Sequence, residues 1–280
     1  MARVLIAGCG YLGEALGLYL IQEGHSVCGL RRSRDCLPSQ LVPLYADLNR
    51  PATLTNWPWP FDIVFYVAGA DSRTEVAYQS TYVNGLANLI EALQDQDPPV
   101  RRLFFTSSTA VYAQSGGEWV DENSPVSPTN FAGRCLREGE RLLLKSLMIA
   151  TVLRVGGIYG PGRNSLIQSV RRGDACCVKG PPLYLNHIHR DDCVRSLAHL
   201  MNLKNPLDLY LVVDKEPPEK CQLIHWIAER LGVAPPSWRL PDTYSTKRGN
   251  KRCRNSRLIA SGYDFLYPSF REGYLPLLSE

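Results

Sequence analysis

Gly8-Cys9-Gly10-Tyr11-Leu12-Gly13 carries the spacing G-x-G-x-x-G, and each glycine answers a separate need of a chain that must hold a pyrophosphate. The first permits a tight turn, the second lets backbone approach the diphosphate, and the third lets a helix pack closely on a strand. A helix opening at Tyr11 would present unpaired N–H groups and the positive end of its dipole to the phosphates. Val4 to Ala7 ahead of the motif is a short apolar run, and Tyr11 to Gln22 repeats apolar residues at helical spacing. The motif therefore stands between a strand and a helix, where it predicts dinucleotide binding by Gly8, Gly10, Tyr11, Leu12 and Gly13.

The next strand decides which dinucleotide. Sites that prefer NAD usually end this strand with a carboxylate for the ribose 2′-hydroxyl. Here Val27 to Leu30 runs out into Arg31-Arg32-Ser33. Two guanidiniums suit a 2′-phosphate, which they can grip with bidentate hydrogen bonds. The expected cofactor is therefore NADP(H), held by Arg31 and Arg32. Asp47-Leu48, after a third strand at Val42 to Ala46, is placed to meet the adenine edge.

The elements that must position these residues alternate in the first half as a parallel sheet with crossover helices requires. Strands are expected at 63–67, 103–106 and 151–155, and helices at 78–93 and 133–147. Beyond Gly160 glycine and proline become frequent, apart from helices near 191–201 and 221–231 and a strand at 209–213. The fold class is α/β: a Rossmann-type, doubly wound parallel sheet with a smaller, loop-rich C-terminal substrate domain. The expected division is residues 1–160 for the nucleotide domain, with 190–214 returning to it, and 161–280 mainly for substrate.

Composition narrows the function classes. The 280 residues are 45% hydrophobic and 21% charged, as in ordinary globular proteins. No apolar run is long enough to span a bilayer, and Val4 to Ala7 is too short for a signal-peptide core, so no membrane partner and a cytoplasmic location are expected. The nine cysteines are odd in number and scattered, without a C-x-x-C pair; they read as reduced thiols, and no metal site is expected. A net charge of +4 is too small for a nucleic-acid protein. Six of the eleven residues from Lys247 to Arg257 are nevertheless basic. Lys251 and Arg252 in this cluster are candidates to face an anionic substrate, with a solvated loop as the alternative.

Further motifs follow in order. They are Asp62 to Gly69, Gly85 to Ala92, Ser107-Ser108-Thr109-Ala110-Val111-Tyr112, Leu153-Arg154, Tyr159-Gly160-Pro161-Gly162 and His189-Arg190-Asp191-Asp192. With the glycine loop they make the chain resemble the extended short-chain dehydrogenase/reductases, the NAD-dependent epimerase/dehydratase family. The resemblance implies a homodimer through the helices at 78–93 and 133–147, and cofactor contacts from Ala68 and Gly69. It also implies chemistry by a Ser, a Tyr and a Lys. The Tyr would exchange a proton with the substrate oxygen, the Lys would lower its pKa, and the Ser would hold that oxygen. Ser108 matches the Ser. The Tyr-x-x-x-Lys pair has no counterpart: aligned on Pro128 and Gly133 its positions are Ala132 and Leu136, and one residue earlier they are Phe131 and Cys135. The chain thus resembles an atypical member. Tyr82, three residues before Gly85 where the family usually has Asn, is a candidate substitute acid, with packing as its alternative. Tyr112, Arg154, Tyr159, His187 and His189 are candidate substrate contacts, with structural hydrogen bonds or ion pairs as the alternative for each.

Two functions follow as expectations. One is an NADP-dependent oxidoreductase or epimerase-like enzyme acting on a small polar, anionic molecule such as a nucleotide-sugar, with a non-standard proton donor. The other is a non-catalytic NADP(H)-binding sensor or regulatory protein.

Overall fold

The computed structural model describes residues 1–34, 37–240 and 249–280. Five strands come from the first 108 residues: β1 (Arg3–Ala7), β2 (Ser26–Arg31), β3 (Val42–Tyr45), β4 (Ile63–Tyr66) and β5 (Arg102–Ser108). With Ala150–Val155 and Leu209–Val212 they make a seven-stranded sheet. Its order is Leu209–Val212, Ala150–Val155, β5, β4, β1, β2, β3. From β1 the chain first winds outward to β2 and β3, then returns to β4 and winds the other way. The pairings of β1 with β2 and β4, of β2 with β3, and of β4 with β5 are all parallel. This is the doubly wound arrangement expected from the alternation of elements, and it puts a topological switch point between β1 and β4.

The strands read as near-continuous apolar runs because both faces are covered. In β4, Ile63 to Tyr66 are all buried. One face, with Leu5, Cys28, Val64, Tyr66, Leu103 and Phe105, forms a single core with Leu86, Leu89 and Leu93 of the helix Gly85–Leu93 and Leu143 of the helix Phe131–Lys145. The helix expected over 78–93 begins at Glu75 under a Thr74 cap, and Ser80–Asn84 within it forms one π-helical turn. Asn130 caps the helix Phe131–Lys145 by accepting from the Gly133 N–H, which explains its sharp start.

The chain divides into two compact units, each assembled from several stretches. The first holds 1–111, 126–154 and 194–210; the second holds 112–125, 155–193 and 211–280. In the second unit three-residue strands pair in twos: His187–His189 with Gly157–Tyr159, Ser237–Arg239 with Cys176–Val178, and Lys251–Cys253 with Glu118–Val120. Its core joins the helices Ser165–Arg171 and Lys220–Leu231 to Tyr159, Phe270 and Tyr274. Among the described residues no helix is long and apolar enough to cross a membrane. The described cysteines are all free thiols, and Cys36 lies outside the described residues.

Candidate functional site

A cleft of about 650 Å³ opens at the carboxyl ends of β1, β2 and β4, where open α/β sheets gather ligands. Its walls are Gly8 to Gly10 after β1, Leu30 to Ser33 at the end of β2, Ala46 to Asn49, and Ala68, Gly69 and Asp71 after β4. Gly8 has φ +91°, and a Cβ there would lie 2.3 Å from the Cα of Ala68, so only glycine lets the two loops meet. At Gly10 the same atom would meet nothing within 4 Å, because that position faces the open cleft. The loop is fixed from below, where the N–H groups of Gly8 and Cys9 both donate to the Leu30 carbonyl, at 3.0 and 2.8 Å.

The helix Tyr11–Gln22 starts directly on this loop. Its cap residue is Gly10, which brings no side chain to cover the first turn. Leu12 and Gly13 are buried beneath, and a Cβ on Gly13 would come within 3.0 Å of the Ile6 side chain. Gly8 and Gly10 therefore shape the wall, whereas Leu12 and Gly13 act from behind it by seating the helix. Burial and the Glu14 carboxylate push the Cys9 thiol up to about 12, so this loop residue is an inert thiol. A dinucleotide fits these features. The loop offers backbone in place of side chains, the helix end is uncovered, and the volume is that of a small-molecule site.

Arg31 and Arg32 both line the cleft, and both are already engaged. Arg31 Nη1 stands 3.1 Å from Glu14 Oε1 and its Nε 3.2 Å from the Ser33 hydroxyl. Arg32 Nη2 stands 2.6 Å from each carboxylate oxygen of Asp71. Asp47 and Leu48 are also in the wall. The Asp47 carboxylate also accepts from the Asn49 N–H at 2.9 Å, which fixes the bend that carries it. Sequence reasoning missed Asp71, Ser80 and Thr81 in this wall. The π-helical turn that brings Ser80 and Thr81 to the wall leaves no periodic signal.

Ser108 is half-buried at the end of β5, and its hydroxyl accepts from the Ala110 N–H at 3.2 Å while its own proton is left to donate. Ala132 and Leu136 are both buried, so that register places two apolar side chains in the interior where a phenol and an ammonium would be needed. In the other register Cys135 is buried as well, its thiol 3.6 Å from Gln79 Oε1.

Several expected contacts are corrected by the geometry. Tyr82 is half-buried and outside the wall of this cleft: it packs against the sheet core with its ring 5.2 Å from that of Tyr78, its hydroxyl meets the Ala70 backbone, and burial raises its hydroxyl pKa. Arg154 is 2% exposed, and its Nε and Nη2 meet the two Glu140 oxygens at 2.9 and 2.8 Å. Glu140 also accepts from Ser107 at 2.7 Å and from Arg137 at 2.9 Å. Arg154 is thus one half of a buried ion pair instead of a substrate contact. Tyr112 is buried, and its hydroxyl donates to the Asp121 carbonyl at 2.7 Å.

In the second unit His187 and His189 do share one side of their strand, as alternation predicts. Both rings approach Tyr159, with centroids 5.7 and 5.4 Å away. Tyr159 stacks on Tyr274 at 4.2 Å. The group faces inward, however. The Tyr159 hydroxyl, His187 Nδ1, His189 Nε2 and both Asp214 oxygens are buried with no hydrogen-bond partner of good geometry among the described residues. Burial pushes His187 down to about 4 and holds Asp214 well above the usual carboxylate range.

The basic cluster is also taken up structurally. Lys251 is buried on its strand, which lowers its pKa by desolvation. Arg252 lies over the rings of Trp119 and Tyr184, at 4.9 and 4.7 Å, and donates to the Gly117 carbonyl at 2.8 Å. Their main-chain register beside Glu118 and Trp119 turns these side chains towards packing instead of ligand. Lys247 and Arg248, counted in the same cluster, lie outside the described residues.

Comparison with known proteins agrees with the fold. The NAD dependent epimerase/dehydratase family matches residues 4–204. A Methylobacillus flagellatus protein assigned to the NAD-dependent epimerase/dehydratases is 36% identical; the match covers 99% of this chain and 98% of that one, with a TM-score of 0.83. A 3-diazoavenalumate denitrifying reductase of Streptomyces sp is 28% identical over 97% of this chain and 98% of its own length. The human epimerase family protein SDR39U1, solved with NADPH, shares the fold at 17% identity and a TM-score of 0.82, covering 99% of both chains.

Proposed function

Because the chain belongs to the NAD dependent epimerase/dehydratase family, we propose that it is an NADP(H)-dependent oxidoreductase or epimerase-like enzyme acting on a small polar substrate. The observation that carries this reading is the wall at the end of β2, where Arg31 and Arg32 stand beside the glycine loop. Two guanidiniums at that place favour a 2′-phosphate over a bare hydroxyl. Bound there, the cofactor would supply or accept a hydride at its nicotinamide.

The chain's own residues have separable tasks. Gly8 and Gly10 admit the diphosphate, the helix from Tyr11 orients it, and Ala68 and Gly69 bound the cleft on the β4 side. Asp47 is placed to accept from an adenine amine. Ser108, with a proton to donate, is the candidate to hold the substrate oxygen, and the proton donor is a group other than the usual Tyr-Lys pair. Nucleotide-sugars or other anionic molecules are the substrate class this reading favours, and a homodimer through the helices Gly85–Leu93 and Phe131–Lys145 is the proposed assembly.

The test is NADPH turnover over a panel of carbonyl compounds and nucleotide-sugars. The reading expects turnover with at least one, falling about tenfold or more in Ser108→Ala. Absence of turnover across the panel, with tight NADPH binding retained, would favour the second reading. That reading is a non-catalytic NADP(H)-binding regulator, and the buried Ala132 and Leu136 are the observation in its favour.

A further inference from the structure

Arg31 and Arg32 each face a carboxylate, but only one of the two carboxylates belongs to the cleft. Glu14, opposite Arg31, lies in the first turn of its helix and is not part of the wall; Asp71, opposite Arg32, is. Asp71 follows β4 and Arg32 follows β2, so the pair comes from the ends of the two strands that flank β1. The contact is close, 2.6 Å from Arg32 Nη2 to either oxygen, yet the side chains are 56% and 66% exposed. Ion pairs this exposed are held weakly, because water competes for both partners. The hydrogen bond to Asp71 is the largest influence raising the Arg32 pKa, and the charge of Asp47 adds to it.

We propose that Asp71 sets the cofactor preference of this cleft by competing with the 2′-phosphate for Arg32. The proposal rests on the reading of the cleft as an NADP(H) site. A 2′-phosphate carries up to two negative charges and three acceptor oxygens, so it can displace a single exposed carboxylate from the guanidinium. A 2′-hydroxyl is neutral and cannot. An unphosphorylated nucleotide therefore leaves the Arg32–Asp71 pair closed, whereas a phosphorylated one exchanges Asp71 for itself. The carboxylate is thus a brake on NADPH affinity that NADH does not feel. Removing its charge tightens NADPH alone.

The experiment is a fluorescence titration of the full-length protein with NADPH and with NADH, on wild type, Asp71→Asn, Arg32→Ala and the double variant. The expected results are a gain of about three- to fivefold in NADPH affinity for Asp71→Asn, a loss of about tenfold or more for Arg32→Ala, and no change in NADH affinity for either. In the double variant the Asp71→Asn gain disappears, because its partner is gone. Preference for NADPH that is lost in Arg32→Ala but unchanged in Asp71→Asn would overturn the competition while leaving the cofactor reading intact. Wild type that binds both nucleotides equally would overturn both. Both side chains are exposed, so the variants are expected to fold, and a thermal melt of each confirms it.

Discussion

In the sheet unit the buried carboxylate of Glu140 meets Arg154 in a two-point pair, with Ser107 and Arg137 filling its remaining acceptor sites. In the second unit the equally buried carboxylate of Asp214 acts electrostatically on the phenols of Tyr159 and Tyr274, neither of which completes a hydrogen bond to it. The first arrangement keeps both groups charged by mutual compensation. The second keeps groups uncharged, the acid by holding its proton and His187 by refusing one. Burial alone therefore does not say how a polar residue behaves; its neighbours decide whether it stays an ion. The same contrast sorts the functional candidates. Residues that sequence position offers to a substrate are, in Arg154, Tyr159, His187 and His189, parts of two polar interiors. The open polar wall lies at the nucleotide cleft.

The contrast is broken most severely by removing one half of the compensated pair. Glu140→Leu should destabilise the protein by about 3–5 kcal/mol in urea unfolding, because Arg154 is left buried without its counter-ion. A loss below about 1 kcal/mol would mean that the pair is not what keeps Arg154 inside. Asp214→Asn should act in the opposite sense. Its folded pKa is raised, so the stability this carboxyl contributes is complete below about pH 4 and is lost as pH rises. The asparagine does not titrate, so its stability relative to wild type should grow from pH 4 upwards by up to about 1.4 kcal/mol per pH unit. Parallel unfolding curves at pH 4, 6 and 8 would expose a gap that stays constant, contrary to this account. His187 runs the other way. With its folded pKa pushed down to about 4, the stability it contributes is present above pH 6.5 and is lost as pH falls through that interval. His187→Gln should flatten that acid limb. The smallest effect belongs to Arg252→Lys, which keeps the charge but loses the planar stack on Trp119 and Tyr184. It should cost about 0.5–1 kcal/mol and leave NADPH affinity unchanged, as a structural role requires.

Much of the sheet unit was legible because its signals are long and local. Strands such as Val4 to Ala7 and Ile63 to Val67 are bounded apolar runs, the helices exceed two turns, and the glycine loop sits between them. The second unit is built from strands of three residues, too short for a period of two to show, and paired with segments far away in sequence. Lys251 illustrates this: its run of basic neighbours reads as an anion site or a solvated loop until main-chain pairing with Glu118 buries it. Tyr82 stands outside the wall of the cleft because a motif position fixes the backbone and leaves open where a side chain points. Glu140 was within reach, since an acid among Cys135, Leu136, Gly139 and Leu143 on one buried helix face needs a partner. Asp71 was not, because only the fold brings it to Arg32.

The cofactor assignment itself is tested most directly by titrating wild type and Arg31→Asp side by side with NADPH and NADH. An NADP(H) site predicts that wild type binds NADPH about tenfold or more tightly than NADH, and that Arg31→Asp removes or reverses that preference. Equal affinities in wild type, or a preference for NADPH that survives Arg31→Asp, would contradict it.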